Sequence, residues 1–246
     1  MIQEKAYKLL ALQEGISNRS AKDLIDRGVV YAKGKKVLVA RALIKADTKF
    51  KIQSISKTDV IFEDENIVAI NKPAFVTSEQ IAKKKNLALI HRLDKETSGV
   101  LLLAKNEGFR LQAIEAFKSF SVDKEYIAWV SGKIIAEPFS IEKPLISIKK
   151  GNFTYTKVSK NGKEAISYIE PILIEGKKSK IKVNIKTGRT HQIRAHLKSE
   201  GCPIIGDSVY GGKTYSRLLL HAFKISLLGY SFEASEPKEF IDVTNS

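Results

Sequence analysis

The chain has 246 residues, a formal net charge of +15 and a hydrophobic content of 43%. This length supports one sizeable core with a small accessory domain, and the composition is that of a globular protein. The longest apolar runs are far shorter than the roughly 20 residues of a membrane-spanning helix, and the N-terminus lacks the apolar region of a signal peptide. The single cysteine, Cys202, excludes an internal disulfide and a cysteine-based zinc site. We therefore expect a cytoplasmic protein with no membrane partner.

The excess of positive charge indicates the kind of partner. Polyanions are favoured, because each phosphate that a basic side chain neutralises releases condensed counterions. A lysine-rich proteome is the alternative explanation of the same excess. Residues 1–51 contain 12 Lys or Arg and 5 Asp or Glu, a surplus of +7 in about a fifth of the chain. The charge is therefore concentrated at the N-terminus.

Residues 1–52 are predicted to form a domain of their own. The pattern predicts a short first helix that ends near Gly15. Ser17 or Asn18 can cap a second helix, which ends at Gly28. The following sequence, VVYAKGKKVLVA, predicts two short strands around a glycine turn.

The segment SNRSAKDLIDRGVVYAKGKKV resembles the small S-four-type RNA-binding domain, first seen in a protein of the small ribosomal subunit. The resemblance implies a basic helix and a basic turn that contact phosphates. The opening EKAYKLL departs from the Arg-Leu-Asp pattern usual in that domain, and a basic capping domain with no RNA role is the alternative. The candidate RNA-binding residues are Arg19, Lys22, Arg27, Lys35 and Lys36.

Residues 53–60 are predicted to be a polar linker, and residues 61–246 to be one α+β domain. Alternating or continuous apolar runs predict strands in NIVAINK, SGVLLLA, EYIAWVS, KIKVNIK and HAFKISLLGYSFEA, and THQIRAHLKSEG has helical spacing. Strands outnumber helices and do not alternate regularly with them. This favours a large mixed, mostly antiparallel sheet with packed helices over a doubly wound sheet. Residues 143–163 are predicted to be a solvated loop or a hairpin arm.

The segment HRLDKETSGVLLLAKN places Asp94 among basic side chains, just before a buried strand. A carboxylate held there needs a cation as its partner, or it takes up a proton. A second basic segment, KTGRTHQIRAH, offers Arg189 at the corner between a strand and a helix. A guanidinium at such a corner can bind a carboxylate through two hydrogen bonds. We therefore expect Asp94 and Arg189 to form an ion pair in a cleft between strand ends.

Other signals of chemistry are weak. The four histidines, His91, His191, His196 and His221, show no zinc-binding spacing, and we interpret them as structural or hydrogen-bonding residues. The chain has no glycine-rich phosphate loop, no dinucleotide fingerprint and no nucleophile-elbow serine. A single prominent carboxylate disfavours hydrolysis by a pair of acids. We expect no metal ion.

Three segments, HRLDKETSGVLLLAKN, KTGRTHQIRAHLKSEGCPIIGDSVYGG and RLLLHAFKISL, together resemble the pseudouridine synthases of the RluA type. The segments NKPAF, KEYIAWV and NGKEAISYIEP fit the same family, and the resemblance covers about residues 60–240. It implies the fold of that family and the isomerisation of uridine to pseudouridine in structured RNA. It also implies that no cofactor is needed, because uracil is both the leaving group and the nucleophile.

The resemblance also implies roles for individual residues. The expected catalytic residues are Asp94, Tyr126 and Arg189. Asp94 would be the catalytic carboxylate, Arg189 its ion-pair partner, and Tyr126 the active-site tyrosine that stacks on the uracil and can assist proton removal. Arg92 would fill the gap that the extracted base leaves in the RNA, and Leu220 would line the base pocket. The expected substrate-binding residues are Arg92, Leu220 and His91.

Two segments depart from the pattern of the family. VTSEQ follows NKPAF in place of the usual turn, and KPLISIKKGNFTYTKVSK lacks the usual compact basic pattern, so RNA contacts at both are expected to differ. The N-terminal domain favours large-subunit ribosomal RNA as the substrate. Transfer RNA is the alternative substrate, and a non-catalytic RNA-binding protein of ribosome assembly is the alternative function. We expect a monomer, since no large apolar stripe is evident.

Overall fold

The chain divides after Lys57 into two compact units in a computed structural model that describes residues 2–132, 134–151 and 153–243. The segment predicted as a linker, residues 53–60, is not a linker throughout, because a strand of the second unit begins at Asp59. Within the described residues, no helix combines the length and the apolar character needed to cross a bilayer.

From residue 2 onward, where the structure describes it, the N-terminal unit contains two helices and five short strands. Ser17 caps the second helix by accepting a hydrogen bond from the amide of Ser20, and Gly15 and Gly28 end the two helices in the left-handed conformation. The predicted helix ends and the strand pair around Gly34 are thus confirmed. The elements are β1 (Gln3–Lys5), α1 (Ala6–Glu14), α2 (Asn18–Arg27), β2 (Val30–Ala32), β3 (Lys35–Lys36), β4 (Leu43–Lys45) and β5 (Phe50–Ile52).

The second unit is built on one large sheet with four helices among its described residues. Its strands are β6 (Asp59–Glu63), β7 (Ile67–Lys72), β8 (Ala88–Leu89), β9 (Ser98–Ala104), β10 (Asp123–Ser131), β11 (Phe139–Glu142), β12 (Leu145–Lys150), β13 (Phe153–Val158), β14 (Ile166–Glu175), β15 (Lys178–Ile185), β16 (Leu220–Leu227) and β17 (Tyr230–Glu233). Its helices are α3 (Ser78–Lys85), α4 (Glu107–Lys118), α5 (Gln192–Ser199) and α6 (Glu239–Asp242).

The strand order in this sheet is β11-β14-β15-β10-β16-β9-β7-β6, with β17 paired to β16 and β8 paired to β9. Among the described pairs, only β9 and β16 run parallel. The predicted α+β fold with a mixed, mostly antiparallel sheet is therefore confirmed. The alternation of EYIAWVS, with Tyr126, Ala128 and Val130 on one face, predicts that only one face of β10 is buried, and this is wrong, because Ile127 and Trp129 are buried as well. This strand lies in the middle of the sheet and is covered on both faces.

Because β9 and β16 run parallel, the loops that precede them lie at the same end of the two strands. Gly99 pairs with Ala222 there at a φ of +115°, and a Cβ on Gly99 would lie 2.2 Å from the carbonyl oxygen of Ala222. A glycine is therefore required for the two backbones to approach each other. The loop that carries Asp94 leads into β9 at this end, and Leu220 begins β16 there.

The lysine-rich segment 143–163 contains the two-stranded antiparallel hairpin β12–β13, as predicted for an arm. Its inner side is fixed to the rest of the unit. Thr156 is fully buried, and its amide donates a hydrogen bond of 2.9 Å to the hydroxyl oxygen of Tyr210. The rings of Tyr155 and Tyr210 stack with their centroids 5.1 Å apart.

Candidate active site

Asp94 lies in the loop between β8 and β9, and the backbone on each side of it is tied down. The Ser78 hydroxyl donates to the carbonyl of Leu93 and accepts from the amide of Leu93, at 3.1 and 3.0 Å. On the other side, the Nζ of the fully buried Lys72 donates to the carbonyl of Lys95 at 3.3 Å. These contacts fix the position of a carboxylate whose side chain is 27% exposed.

The Asp94 loop forms one wall of a groove with a cavity volume of about 1170 Å³. Its lining is strongly basic, with eight Lys or Arg against three Asp or Glu. The basic residues are Arg92, Lys95, Arg110, Lys118, Lys124, Lys186, Arg189 and Arg194, and the acidic ones are Glu79, Asp94 and Glu96. A concave basic surface of this kind attracts and concentrates polyanions.

Arg194 is the arginine that contacts Asp94, with its Nη1 3.5 Å from Oδ2 of the carboxylate. The predicted ion pair between Arg189 and Asp94 is therefore corrected. Arg189 lies before the first turn of α5, and its Nε donates instead to the carbonyl of Glu164 at 2.9 Å. Arg189 still lines the groove, whereas Arg194 points inward from α5 and is only 3% exposed.

The fully buried Asp207 orients Arg194. Its carboxylate accepts from Nε and Nη2 of Arg194 at 2.7 and 2.9 Å, and its Oδ1 also accepts from the amides of Val209 and Tyr210. Burial alone would disfavour the charged guanidinium, but the hydrogen bonds and charge of Asp207, together with Asp94, raise the pKa of Arg194 above its ordinary value. Arg194 is thus a permanent cation beside Asp94. The sequence reasoning missed Asp207, although GDSVYGG was among the segments that carried the resemblance.

Tyr126 and Leu220 lie together with Asp94 around a smaller pocket of about 100 Å³ that opens beside the groove. Tyr126 is on β10 and is paired with Ala222 of β16, two residues beyond the buried Leu220. Burial, to which the charge of Asp94 adds, raises the pKa of the Tyr126 phenol well above its ordinary value, so the hydroxyl is protonated at neutral pH. An aromatic ring and an aliphatic side chain beside a carboxylate are suited to hold a flat ring.

Arg92 and His91 differ in how they face the groove. Arg92 is exposed at its rim, and its Nε lies 2.8 Å from Oε1 of Glu79. His91 stacks on Phe117 and accepts a hydrogen bond at Nε2 from the amide of Leu102. Burial lowers the pKa of His91 to about 4, so its ring is neutral. Its contacts anchor the start of the Asp94 loop to β9.

His191 is a further neighbour of Asp94 that sequence reasoning assigned only a structural or hydrogen-bonding part. Its Nε2 lies 3.8 Å from Oδ2 of Asp94, and its Nδ1 is 3.1 Å from the hydroxyl of Tyr210. Among the described residues, no group of three or more His, Cys, Asp or Glu side chains is arranged to hold a metal ion. The site thus consists of a carboxylate, an oriented cation, an imidazole and a small, partly apolar pocket.

The basic residues predicted in the N-terminal unit lie on α2 and on the β2–β3 turn. Arg19 and Lys35 are exposed. Arg27 forms an ion pair with Asp23 one turn earlier, at 2.7 Å. The ammonium groups of Lys22 and Lys36 lie over the rings of Tyr7 and Tyr31, at 4.3 and 5.8 Å from the ring centroids.

Comparisons with known proteins agree on the family. The family model described as RNA pseudouridylate synthase matches residues 66–199. A Helicobacter pylori protein described as an RNA pseudouridine synthase is 53% identical over 241 residues, which cover 96% of this chain and 99% of the relative. A Rickettsia felis protein named ribosomal large subunit pseudouridine synthase C is 38% identical over 208 residues, which cover 75% of this chain and 68% of the relative.

Solved structures share the fold. The human RNA pseudouridylate synthase domain-containing protein 1 superposes with a TM-score of 0.66 at 24% identity, covering 78% of this chain and 88% of that one. The human RNA pseudouridylate synthase domain-containing protein 4 superposes with a TM-score of 0.65 at 23% identity, covering 76% of this chain and 91% of that one. From the family model and the curated relatives together, the chain belongs to the RluA-type RNA pseudouridylate synthase family and is an isomerase that acts on RNA.

Proposed function

We propose that this enzyme converts uridine to pseudouridine in large-subunit ribosomal RNA, with Asp94 as the catalytic carboxylate. The observation that carries the assignment of the site is the position of Asp94, which lies in a basic groove and beside a small pocket with Tyr126 and Leu220. Support for the class of RNA comes from the Rickettsia felis relative, whose name specifies the large ribosomal subunit.

The reaction breaks the bond between the ribose and ring nitrogen 1 of uracil, turns the base, and joins ring carbon 5 to the same ribose carbon. The proton on ring carbon 5 is lost to water and ring nitrogen 1 takes up a proton, so that the product is an isomer of the substrate. Asp94 acts on the ribose as a nucleophile or as a base, and both roles require an ionised carboxylate. The positive charge of Arg194, 3.5 Å from Oδ2, compensates the charge of Asp94 inside the groove. Arg194 and His191 both contact Oδ2 among the described residues, and the proposal assigns Oδ1 to the ribose.

The small pocket holds the detached base. The ring of Tyr126 stacks on uracil, and Leu220 packs against the base, so that uracil turns without escaping. A base within folded RNA must first leave its stack, at a cost of a few kcal/mol. Arg92 is exposed at the rim, and its ion pair with Glu79 is a surface contact worth little energy. It is therefore free to exchange Glu79 for the RNA and to stack in the gap.

RNA is held by two basic surfaces. The lysines and arginines of the groove contact the phosphates that flank the target, which gives affinity without sequence readout. The N-terminal unit, as an S-four-type RNA-binding domain, adds contacts through Arg19, Lys22, Arg27, Lys35 and Lys36. Together they select a folded RNA rather than a single nucleotide.

The test is tritium release from RNA that carries the label at ring carbon 5 of uridine, because isomerisation expels that label into water. Ribosomal and transfer RNAs are incubated with the wild-type enzyme, with Asp94→Asn, and with the control variant Asp59→Asn, which changes an exposed carboxylate outside the groove. Binding of each RNA is measured in parallel.

Release from large-subunit ribosomal RNA that is lost in Asp94→Asn and kept in Asp59→Asn supports both parts of the proposal. Release only from transfer RNA overturns the substrate class and leaves the site intact. Unchanged release by Asp94→Asn overturns the site. Tight binding without release from free RNA or from partly assembled ribosomal particles favours a non-catalytic assembly factor.

A further inference from the structure

The two ring nitrogens of His191 face different partners. Its Nε2 lies 3.8 Å from Oδ2 of Asp94, and its Nδ1 lies 3.1 Å from the hydroxyl of Tyr210. The ring of Tyr210 is buried and nearly perpendicular to the imidazole, at 87°. A catalytic contact of 3.8 Å is long, but such contacts commonly tighten only when substrate is bound.

The hydrogen bonds around Tyr210 favour one tautomer of His191. The amide of Thr156, on the hairpin strand β13, donates to the hydroxyl oxygen of Tyr210 at 2.9 Å. The hydrogen of that hydroxyl can then be donated to Nδ1 of His191, 3.1 Å away. A neutral imidazole carries its one proton on the other nitrogen, so Nε2–H faces Asp94. The carboxylate favours the same tautomer, since an Nε2 lone pair would face its negative charge.

Charged and titratable groups surround the ring on several sides. Burial lowers the pKa of His191, the charge of Asp94 opposes this, and the charge of Arg194 adds to it. Asp207 and Glu96 raise the pKa more weakly. The net direction is downward, so the imidazole is neutral at physiological pH and acts as a donor without a charge of its own.

The backbone of His191 offers a structural explanation for the same residue. It has a φ of +52° immediately before α5, in the left-handed region that most side chains avoid. Asparagine tolerates this region nearly as well as any residue that has a side chain, whereas glutamine does not. A residue retained only for its backbone is therefore replaced with little loss by asparagine.

We propose that His191 is a positioning residue, which holds the carboxylate of Asp94 through Nε2–H and is itself fixed in that tautomer by Tyr210 and Thr156. This inference rests on the catalytic role proposed for Asp94. The relay also joins the hairpin β12–β13 to the reacting carboxylate.

Two substitutions separate the positioning role from a purely backbone role, because the two roles predict opposite orders of kcat in the variants. In His191→Gln the amide nitrogen can reach the place of Nε2, but the backbone is strained. In His191→Asn the backbone is suited, but the shorter amide leaves Asp94 without its donor. The positioning role predicts that kcat for tritium release falls about 100-fold in His191→Asn, the effect of a misplacement of about 1 Å, and less than tenfold in His191→Gln. The backbone role predicts the reverse order in kcat, which overturns the proposal. Thermal unfolding of both variants is expected to rank asparagine as the more stable.

Tyr210→Phe tests the relay. It removes the donor to Nδ1, so the preference for the Nε2–H tautomer weakens and nitrogen-15 NMR is expected to show a larger share of the Nδ1–H tautomer of His191 than in the wild type. An unchanged share of the two tautomers overturns the relay.

A measurement without substrate keeps the inference distinct from the proposed function. Nitrogen-15 NMR of the full-length wild-type protein is expected to show His191 as the Nε2–H tautomer at neutral pH. The Nδ1–H tautomer, or an imidazolium, overturns the inference whatever the turnover. Loss of turnover in Asp94→Asn with the reversed order of the His191 variants overturns this inference alone, whereas full turnover in Asp94→Asn overturns the proposed function.

Discussion

Nη1 of Arg194 lies 3.5 Å from Oδ2 of Asp94, while Nε and Nη2 of the same guanidinium are both bound to Asp207. One buried arginine thus contacts two carboxylates that have different roles. Asp207 is buried and holds the guanidinium in place, and Asp94 faces the groove. The geometry needs all three nitrogens in one plane, which only arginine supplies.

The first prediction concerns Arg194. Arg194→Lys keeps a positive charge but cannot reach Asp207 and Asp94 together, so we expect kcat for tritium release to fall about 100-fold, the usual effect of losing one preorganised donor. Arg189→Lys is the matched variant, because Arg189 lines the groove without contacting Asp94 among the described residues. It is expected to raise KM more than it lowers kcat. A larger loss of kcat in Arg189→Lys than in Arg194→Lys contradicts the assignment.

The second prediction concerns the stability of the buried pair. Asp207→Asn leaves the charge of Arg194 without its main partner, although the amide oxygen can still accept from the amides of Val209 and Tyr210. We expect the free energy of unfolding in urea to fall by about 3–5 kcal/mol. Glu79→Gln breaks the exposed pair with Arg92 and is expected to cost less than about 1 kcal/mol. Equal losses in the two variants exclude a structural role for the buried pair.

The sequence was sufficient to predict β7, β9, β10, β15 and β16, because short apolar runs mark buried strands, as in the fully buried β9 and the alternating β15. It did not predict β14 or the short strands β6, β8 and β11. It was insufficient for the partner of Asp94. The position of an arginine at the corner after a strand can be predicted from the sequence, whereas the inward direction of Arg194 depends on how α5 packs. Six consecutive residues of α5, from Gln192 to Leu197, are buried, so the polarity of its sequence gives no sign of which side chains face inward. The tie between the hairpin and Tyr210 is likewise a long-range contact that no local pattern encodes.

The third prediction concerns the parallel junction of β9 and β16. Gly99→Ala places a methyl group 2.2 Å from the carbonyl oxygen of Ala222, at a φ of +115°. The strands must separate, so we expect a loss of unfolding free energy of more than about 3 kcal/mol together with a loss of turnover. Gly229→Ala is the control, because Gly229 has a φ of +83° but no atom within 4 Å of its added carbon. It is expected to cost about 1 kcal/mol and to leave turnover unchanged. Similar losses of unfolding free energy in Gly99→Ala and Gly229→Ala would contradict a close approach of the two backbones at Gly99.

The fourth prediction concerns N-terminal basic residues. Lys35 is exposed at the β2–β3 turn. If it contacts a phosphate of the RNA, Lys35→Ala weakens binding and lowers the slope of log K against log salt by about 1. Lys8→Ala is the control, because Lys8 lies on α1 and pairs with Glu4 at 3.3 Å. An identical slope in Lys35→Ala and the wild type excludes this contact.

The fifth prediction concerns acid and His221. This fully buried residue donates from Nε2 to the carbonyl of Ala234 and accepts at Nδ1 from the hydroxyl of Ser98, which itself accepts from Arg217. Burial lowers the pKa of His221 to about 4, and Arg217 adds to this. The unfolded chain binds a proton near pH 6.5 and the folded chain only near pH 4, so stability is complete above pH 6.5 and is lost as the pH falls between these values.

This loss amounts to about 3 kcal/mol for His221 alone. His221→Gln has no proton to bind in that range and can keep the hydrogen bond to Ala234. Its absolute stability is expected to be lower at neutral pH, but the slope of unfolding free energy against pH between 6.5 and 4 is expected to be smaller by up to about 1.4 kcal/mol per pH unit. The measurement is urea unfolding at several pH values. A slope equal to that of the wild type would mean that His221 already carries a second proton, on Nδ1, in the folded protein. Nδ1 would then donate to the hydroxyl of Ser98 instead of accepting from it.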